Sequence, residues 1–348
     1  MKLLVSALEP SSNLHLKEVL KHTPNIELLG IFDKRITQGT PLYDISEMAI
    51  MGVVDAIKKL PWFFKVADEM VKLAKDADKI LLMDSSGFNL PLAKKLKEKY
   101  PDKEILYYIL PQIWASRPKR AIKLEKYCDT LLGILPFEVD YYSQGKARYV
   151  GHPLLDEIDI HRVESETKNV ITFMPGSRKS EITRLMPIFL ELRRKLGNDI
   201  RPLLVIPPSF SRNKIAHLYK GNREFEIVRN THEALRRSEF AFICSGTATL
   251  EAALIGTPFT LAYIAKKIDF FIGTKLLGIT QVGLANIILS KYNGTKLHNE
   301  LLQEDVTVDN LLAEYYNTNK ETFLKKAKEL KTYLGHGSSE NVAKIIME

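Results

Sequence analysis

The chain has 348 residues, of which 45% are hydrophobic and 26% are charged, and its formal net charge is +8. This composition excludes a disordered or fibrous protein, and the length suits two domains of average size. No apolar run approaches the roughly 20 residues that span a bilayer, so the sequence also argues against a membrane-embedded chain.

Short apolar runs alternate with helical patterns along the whole chain. The first-half strands are predicted at Lys2–Ala7, Ile26–Phe32, Lys79–Met83, Ile105–Ile109, Thr130–Ile134 and Ala147–Val150. Helical periodicity covers Asn13–His22, Trp62–Ala74, Leu90–Lys99 and Lys119–Lys126. The second-half strands are predicted at Val170–Met174, Pro202–Ile206, Phe225–Val228, Phe240–Cys244 and Phe259–Tyr263, followed by two helices within Asn319–Met347. Such alternation predicts an α/β fold with parallel sheets.

The polar segment Leu155–Asn169 interrupts this pattern and is the best linker candidate. We predict an N-terminal domain over residues 1–155, a second domain over 156–318 and C-terminal helices over 319–348. These helices either pack back on the N-terminal domain or are exchanged in a dimer. Two doubly wound, Rossmann-like domains that face a cleft are the layout of the GT-B glycosyltransferases. A dinucleotide-dependent oxidoreductase would need a glycine-rich turn after the first strand, and Ala7–Asn13 contains no glycine.

Two strand-to-helix junctions in the second half favour a nucleotide-diphosphate site. They are Ile171–Arg178 and Phe240–Glu251, each an apolar run that stops at a Gly/Ser/Thr turn. Backbone N–H groups at such a turn and the positive end of a helix dipole bind phosphate. Arg178 adds a bidentate donor for phosphate oxygens, and Glu251 is placed to accept hydrogen bonds from ribose hydroxyls.

Asp84 is the candidate general base, because it follows an apolar strand and therefore lies at the ligand-binding edge of its sheet. A helix-capping role is the alternative for this residue. Glu9 has the equivalent place after the first strand but reads as part of a binding turn, and His152 is either a ligand contact or a packing residue. No His/Cys cluster has metal-ligand spacing, so we expect no metal and no cofactor.

The positive charge favours an anionic partner. Trp62, Phe63 and Phe64 stand beside lysines, as in segments that dock on a membrane, although a helix packed on its own domain has the same pattern. A basic cluster (Arg117, Lys119, Arg120 and Lys123) could attract lipid phosphate or be a solvated helix face. No nucleic-acid-binding module is recognisable, so we expect no nucleic-acid partner.

With these residues in place, the chain resembles the lipid-A-disaccharide synthase family, glycosyltransferase family 19, over nearly its whole length. The motifs that carry the resemblance are ordered and specific in combination. They are Met51-Gly-Val-Val54, Asp84…Phe88-Asn89, Pro111-x-x-Trp114-Ala-x-Arg117, Pro136-Phe-Glu138, Gly151-His-Pro153, Pro175-Gly-Ser-Arg178-x-x-Glu181, Ser245-Gly-Thr-Ala-Thr-Leu-Glu251, Gly283-Leu-Ala-Asn286 and Leu301-Leu-Gln-Glu304.

The resemblance implies a metal-independent inverting transfer from UDP-2,3-diacylglucosamine to 2,3-diacylglucosamine 1-phosphate (lipid X), giving a β-1,6 disaccharide and UDP. It implies that Asp84 is the base. The implied donor-binding residues are Gly176, Ser177, Arg178, Glu181, Ser245, Gly246, Thr247, Glu251 and Asn286. The implied acceptor-binding residues are Glu9, Ser11, Asn89, Trp114, Arg117 and His152. The enzyme would work at the cytoplasmic face of the inner membrane, and two copies can pair in this family through an exchanged C-terminal segment.

The first loop departs from the family pattern. Where the family usually has Gly-Glu-x-Ser-Gly-Asp, this chain has Leu8-Glu-Pro-Ser-Ser-Asn13, which leaves acceptor selectivity open. Two other function classes also stay open at this point. One is a different GT-B enzyme, such as a UDP-sugar 2-epimerase or a transferase for another lipid-linked sugar. The other is a binding protein without catalytic activity.

Overall fold

The structure is a computed structural model. It describes residues 1–37, 39–45, 60–115, 118–158, 167–265 and 281–348. Two compact units are present, one formed by residues 1–157 with 334–348 and the other by residues 158–333. Arg117 and residues 46–59, which include Met51-Gly-Val-Val54, lie outside the described residues. Within those ranges, no helix combines the length and apolar composition needed to cross a bilayer.

The first unit contains one parallel sheet flanked by helices. Its strands are β1 (Lys2–Ala7), β2 (Glu27–Phe32), β3 (Tyr43–Asp44), β4 (Lys79–Met83), β5 (Ile105–Tyr108), β6 (Thr130–Gly133) and β7 (Ala147–Tyr149). Its helices up to residue 157 are α1 (Pro10–Leu20), α2 (Leu60–Leu73), α3 (Ser86–Lys99), α4 (Lys119–Tyr127) and α5 (Pro153–Glu157), with 3-10 turns at Lys34–Ile36, Ala74–Asp76 and Pro136–Tyr141. The strand order in the described part of the sheet is β3-β2-β1-β4-β5-β6-β7.

Successive residues of a strand enter two different cores in this unit. Leu3 and Val5 of β1 pack in one cluster, whereas Leu4 between them packs in the cluster on the opposite face. Leu81 and Leu82 of β4 divide between the same two clusters. Because helices cover both faces of a parallel sheet, its strands are apolar throughout and not alternating.

The second unit repeats this architecture. Its strands are β8 (Val170–Met174), β9 (Arg201–Val205), β10 (Glu226–Val228), β11 (Phe240–Ile243), β12 (Phe259–Tyr263) and β13 (Glu300–Leu302). Its helices are α6 (Lys179–Lys195), α7 (Arg212–Leu218), α8 (Thr231–Arg236), α9 (Thr247–Ile255), α10 (Leu284–Asn293), α11 (Val308–Asn317) and α12 (Lys320–Leu334), with 3-10 turns at Asn222–Glu224 and Gln303–Asp305. The strand order in the described residues is β10-β9-β8-β11-β12-β13.

In each sheet, the strand order reverses beside the first strand of the unit. In the first unit the change falls between β1 and β4, and in the second unit it falls between β8 and β11. The loops at the carboxyl ends of these two strands run to opposite sides and leave a crevice, where ligands of open α/β sheets bind. Each unit therefore has one topologically favoured binding position.

The chain ends with α13 (Ser338–Met347), which packs on the first unit. Val342, Ala343 and Ile346 are buried in the same cluster as residues of α1. The Asp156 carboxylate accepts hydrogen bonds from the backbone N–H groups of Gly337 and Ser339, both at 2.8 Å. This carboxylate therefore caps the first turn of α13 and offsets its positive end.

We expect Gly151→Ala to destabilise the first unit, since Gly151 has φ +94° and an added Cβ would lie 3.0 Å from Ser338 N. The left-handed backbone alone costs about 1–3 kcal/mol for a non-glycine residue. Gly145→Ala is a matched control, because Gly145 has φ +77° and an added Cβ would meet no atom within 4 Å. Chemical unfolding should show a larger loss for Gly151→Ala, with faster amide exchange in α13. Equal losses would contradict the close contact between Gly151 and α13.

Candidate active site

Two glycine turns border a pocket in the second unit, at the switch point between β8 and β11. Gly176 follows β8 with φ +94°, and Gly246 follows β11 with φ +115°, so both positions favour glycine. The pocket has a volume of about 490 Å³. Eight of the residues predicted to bind the donor line it, namely Gly176, Ser177, Arg178, Glu181, Ser245, Gly246, Thr247 and Glu251.

Glu181 organises the loop after β8. Its Oε2 accepts the N–H groups of Ser177 and Arg178 at 3.3 and 3.2 Å, and its Oε1 accepts Arg178 Nη1 at 2.8 Å. A Cβ on Gly176 would come within 2.5 Å of Glu181 Oε2, so only glycine fits beside this carboxylate. The Glu181 carboxylate therefore accepts the backbone N–H groups that were predicted to bind phosphate. Its buried side chain also positions the guanidinium of Arg178.

Arg178 stays available to a ligand despite this pairing, because 76% of its side chain is exposed. The hydrogen bond that Arg178 donates to the Glu181 carboxylate raises the pKa of the guanidinium, so Arg178 stays charged. A guanidinium has five N–H donors, so the bond to Glu181 leaves others free for phosphate oxygens.

The loop after β11 offers unpaired amides. Among the described residues, the backbone N–H groups of Gly246, Thr247 and Ala248 have no acceptor, and these residues line the pocket. The N–H of Thr249 is already bonded to Gly246 O. Free N–H groups at the positive end of α9 bind an anion without a counter-charge from the protein. The pocket can therefore hold a diphosphate.

Polar side chains from several loops line the remainder of the pocket. Glu251 Oε2 lies 3.5 Å from His232 Nε2, so this carboxylate is oriented within the pocket wall. Arg229 and Thr231 also line the pocket and were missed by the sequence analysis. Arg229 Nη1 donates to Pro207 O at 2.8 Å, which ties the loops after β10 and β9 together. Arg229 and Thr231 could have been identified from their position after β10, a short strand whose end lies at the same sheet edge as the other pocket loops.

Asn286 has a different place from the predicted one. It is fully buried, its Nδ2 donates to His298 O and Glu300 Oε1, and its Oδ1 accepts the N–H groups of Leu297 and His298. These four hydrogen bonds use the whole capacity of an amide side chain. Asn286 therefore ties α10 to the segment before β13, and it is not among the residues that line the pocket.

In the first unit, Asp84 lies directly after β4, at the switch point beside β1. Asp84 and Ser85 both have positive φ, +49° and +37°, a strained conformation that is common at functional sites. Ser85 Oγ donates to Glu9 Oε1 at 3.2 Å, which brings the loops after β1 and β4 together. Burial raises the pKa of Asp84, opposed by a hydrogen bond from the Ser85 backbone and by the charge of His15.

Asn89 fixes the backbone of the Asp84 loop through hydrogen bonds. It is fully buried, its Nδ2 donates to Met83 O and Asp84 O, and its Oδ1 accepts Ser6 Oγ at 2.6 Å. Its predicted role was acceptor binding, whereas its hydrogen bonds all go to the protein. Glu9 and Ser11 are exposed at the start of α1 and remain accessible to a ligand.

The other predicted acceptor residues are spread over the first unit. His152 is buried, accepts the Leu154 N–H and donates its own backbone N–H to Gly335 O, and burial lowers its pKa to about 3. His152 is therefore neutral and lies beneath the C-terminal segment. Trp114 is partly buried and packs edge-on against Phe137. Within the described ranges, its Nε1 has no hydrogen-bond partner.

No metal cluster is formed by the described residues, since no three His, Cys, Asp or Glu side chains are grouped to hold an ion. Among the described residues that line this pocket, Arg178, Arg229 and the free amides of the loop after β11 are groups that can neutralise a diphosphate.

Sequence comparison decides the family. Residues 3–346 match the family model described as lipid-A-disaccharide synthetase. A lipid-A-disaccharide synthase of Helicobacter acinonychis is 47% identical, over 98% of this chain and 96% of that protein. The chain belongs to the lipid-A-disaccharide synthase family. The synthase of Campylobacter jejuni is 42% identical, over 99% of both chains.

The fold agrees with this family. The crystal structure of the glycosyltransferase of kitacinnamycin matches with a TM-score of 0.61 and 13% identity, over 99% of this chain and 98% of that one. At this identity the likeness shows the fold alone. The predicted α/β, GT-B fold class with two doubly wound parallel sheets is confirmed.

With Asp84 as the predicted general base, the activity of this chain should depend on pH. A general base acts only when deprotonated, so kcat/KM should fall as the pH drops through the pKa of Asp84. Burial raises that pKa, so the acidic limb should lie above the ordinary range of aspartate, about pH 4. A pH–rate profile measures this, with circular dichroism showing that the protein stays folded. Full activity down to about pH 4 would contradict the assignment.

Proposed function

We propose that the chain transfers the diacylglucosamine group of UDP-2,3-diacylglucosamine to the 6-hydroxyl of 2,3-diacylglucosamine 1-phosphate. The products are the β-1,6-linked lipid A disaccharide 1-phosphate and UDP. Family membership over residues 3–346 carries this proposal. The pocket in the second unit and the raised pKa of Asp84 in the first unit support it, since the reaction needs a place for UDP and a base.

The proposed mechanism is a single displacement with inversion. Asp84 takes the proton of the acceptor 6-hydroxyl while the oxygen attacks the anomeric carbon of the donor. The bond from that carbon to the diphosphate oxygen breaks, and the electron pair leaves with UDP. The free amides of Thr247 and Ala248 and the guanidinium of Arg178 then stabilise the charge that develops on the departing diphosphate.

Mass spectrometry of the products tests this function. The protein is incubated with both diacylated substrates, and a tetra-acyl disaccharide 1-phosphate and UDP are expected in equal amounts. A reaction without acceptor is the control for donor hydrolysis. Conversion of UDP-N-acetylglucosamine in the absence of acceptor would instead support an epimerase. UDP binding without any product would support a protein that only binds its ligands.

We also propose that the first unit touches the inner-membrane surface through the start of α2. Phe64 is 54% exposed, and Lys95 Nζ lies 5.5 Å from its ring centre. An exposed aromatic ring among lysines suits the boundary of an anionic bilayer. Trp62 and Phe63, predicted to dock as well, are only partly exposed and pack against the core of the first unit.

Phe64→Ser should weaken binding to phosphatidylglycerol vesicles by about tenfold, because the ring would no longer enter the bilayer. Stability should be unchanged, since Phe64 is exposed. Trp62→Ser is the contrasting variant. It removes the edge-on contacts of Trp62 with Tyr43 and Phe63 and should lower the unfolding temperature. Vesicle sedimentation and thermal unfolding measure both effects. Unchanged sedimentation of Phe64→Ser would contradict the proposed docking.

A further inference from the structure

Helix α4 carries a cluster of cations on its first two turns that the proposed mechanism does not use. Lys119 and Lys123 are exposed and Arg120 is half-buried. Among the described residues, none of the three forms an ion pair with a carboxylate, and the first turn of α4 contains no acidic residue. We call Lys119, Arg120 and Lys123 the α4 cations.

The α4 cations lie near the N-terminus of α4, where the helix dipole repels positive charge. The N-terminus of a helix is its positive end, and cations there are destabilising. The first turn of α3, which packs beside α4, also lacks an acidic residue. The N-termini of two helices and the three cations thus lie near the carboxylates of Asp84 and Glu9, but in the described part of the chain none of the three cations is paired with a carboxylate. An arrangement that breaks local electrostatic preference is typical of a binding site.

Arg120 connects this charge to the Asp84 loop. Its Nη1 donates to Ser86 Oγ at 2.7 Å, which holds the guanidinium over the start of α3. A Cβ on Gly87 would meet no atom of the described residues within 4 Å, so none of these residues fills the space next to Ser86. Asp84 and Ser86 are two residues apart, and their Cα atoms can be separated by at most about 7 Å. The Arg120 guanidinium therefore lies beside the loop that carries Asp84.

We propose that the α4 cations, with Arg120 as the principal contact, bind the anomeric phosphate of the acceptor sugar. This inference rests on the proposed function, in which the acceptor is a sugar phosphomonoester. In a pyranose, the carbon that bears the phosphate and the carbon that bears the 6-hydroxymethyl group flank the same ring oxygen. A ring whose hydroxyl approaches Asp84 can therefore place its phosphate at Arg120. A guanidinium binds a phosphate dianion through two parallel hydrogen bonds.

The test compares Arg120→Gln with Lys126→Gln, which removes a cation from the last turn of the same helix. Both are assayed in nonionic micelles with 2,3-diacylglucosamine 1-phosphate and with the same lipid lacking its phosphate. Arg120→Gln should raise the acceptor KM at least about tenfold, leave the donor KM unchanged and remove most of the preference for the phosphorylated acceptor. Arg120→Lys should lie between the wild type and Arg120→Gln, and Lys126→Gln should match the wild type.

Three results would overturn the proposal. If Arg120→Gln lowered the activity equally with both acceptors, Arg120 would only support the Asp84 loop. Unchanged kinetics in micelles with weaker sedimentation on phosphatidylglycerol vesicles would assign the α4 cations to bilayer headgroups. A protein without turnover would disprove the proposed function. In that case, equilibrium binding of the phosphorylated acceptor tests the phosphate contact of Arg120 independently of activity. A Kd raised at least about tenfold by Arg120→Gln supports the phosphate contact, and an unchanged Kd overturns it.

Discussion

Asp84→Asn should lower turnover by about 10²–10⁴-fold, the range expected for loss of a positioned general base. The affinity for UDP should not change, because Asp84 belongs to the first unit whereas the residues that line the pocket all belong to the second. Steady-state assays with both lipid substrates measure the first effect, and calorimetric titration with UDP measures the second. Near-normal turnover would remove Asp84 from the role of base.

We expect the Asp84→Asn variant to stay folded, so that a loss of turnover reflects the loss of the base. A carboxyl group whose pKa is higher in the folded than in the unfolded state favours folding only while it is protonated. Burial raises the pKa of Asp84, so its charge opposes folding as the pH rises through that pKa. At neutral pH the Asn variant should therefore unfold at the same temperature as the wild type or higher. A lower unfolding temperature would show that the carboxylate stabilises the loop.

Arg178→Gln should reduce kcat/KM for the donor by about 10²–10³-fold, as for the loss of one donor to a developing anion. The effect has two parts. The diphosphate loses a charged hydrogen-bond donor, and Glu181 loses the guanidinium bonded to it at 2.8 Å. The bare carboxylate then faces the departing UDP in the same pocket. Donor kinetics and UDP titration measure the loss.

A double variant separates these two parts. Arg178→Gln combined with Glu181→Gln removes the unpaired charge but keeps one carbonyl oxygen for the amides of Ser177 and Arg178. UDP should bind this double variant more tightly than the Arg178→Gln single variant, although less tightly than the wild type. Equal affinities would show that the charge of Glu181 does not reach the diphosphate. Unchanged donor kinetics in the single variant would contradict the proposed role of Arg178.

The sequence predicted the central strands well because fully buried strands are continuous apolar runs. β1, β4, β8 and β12 have the predicted bounds. The strands β3 and β13 were missed, since each has two or three residues at an edge of its sheet and neither contains a long apolar run. Edge strands of this length form only because a neighbouring strand offers them hydrogen bonds.

The roles of polar residues were harder to predict than their positions. Glu181 and Asn286 were both predicted as ligand contacts from motifs. Glu181 lines the pocket and also caps its own loop, whereas Asn286 lies outside the pocket lining and bonds to residues 297, 298 and 300. The same side-chain oxygen can serve a ligand or a distant backbone N–H, and local sequence does not distinguish them. Arg229 was missed because it lies outside both motif loops and enters the pocket from the loop after β10.

The sequence alone determined the fold class, the two glycine turns and the position of Asp84 after its strand, because these depend on local patterns of burial and backbone conformation. Only the tertiary structure decided which side chains face a ligand. Burial and hydrogen bonding between segments far apart in the chain use up Asn89 and Asn286, pack Trp62 into the core and leave the amides of the loop after β11 free. Such partners are set by the packing of whole elements, which no short stretch of sequence encodes.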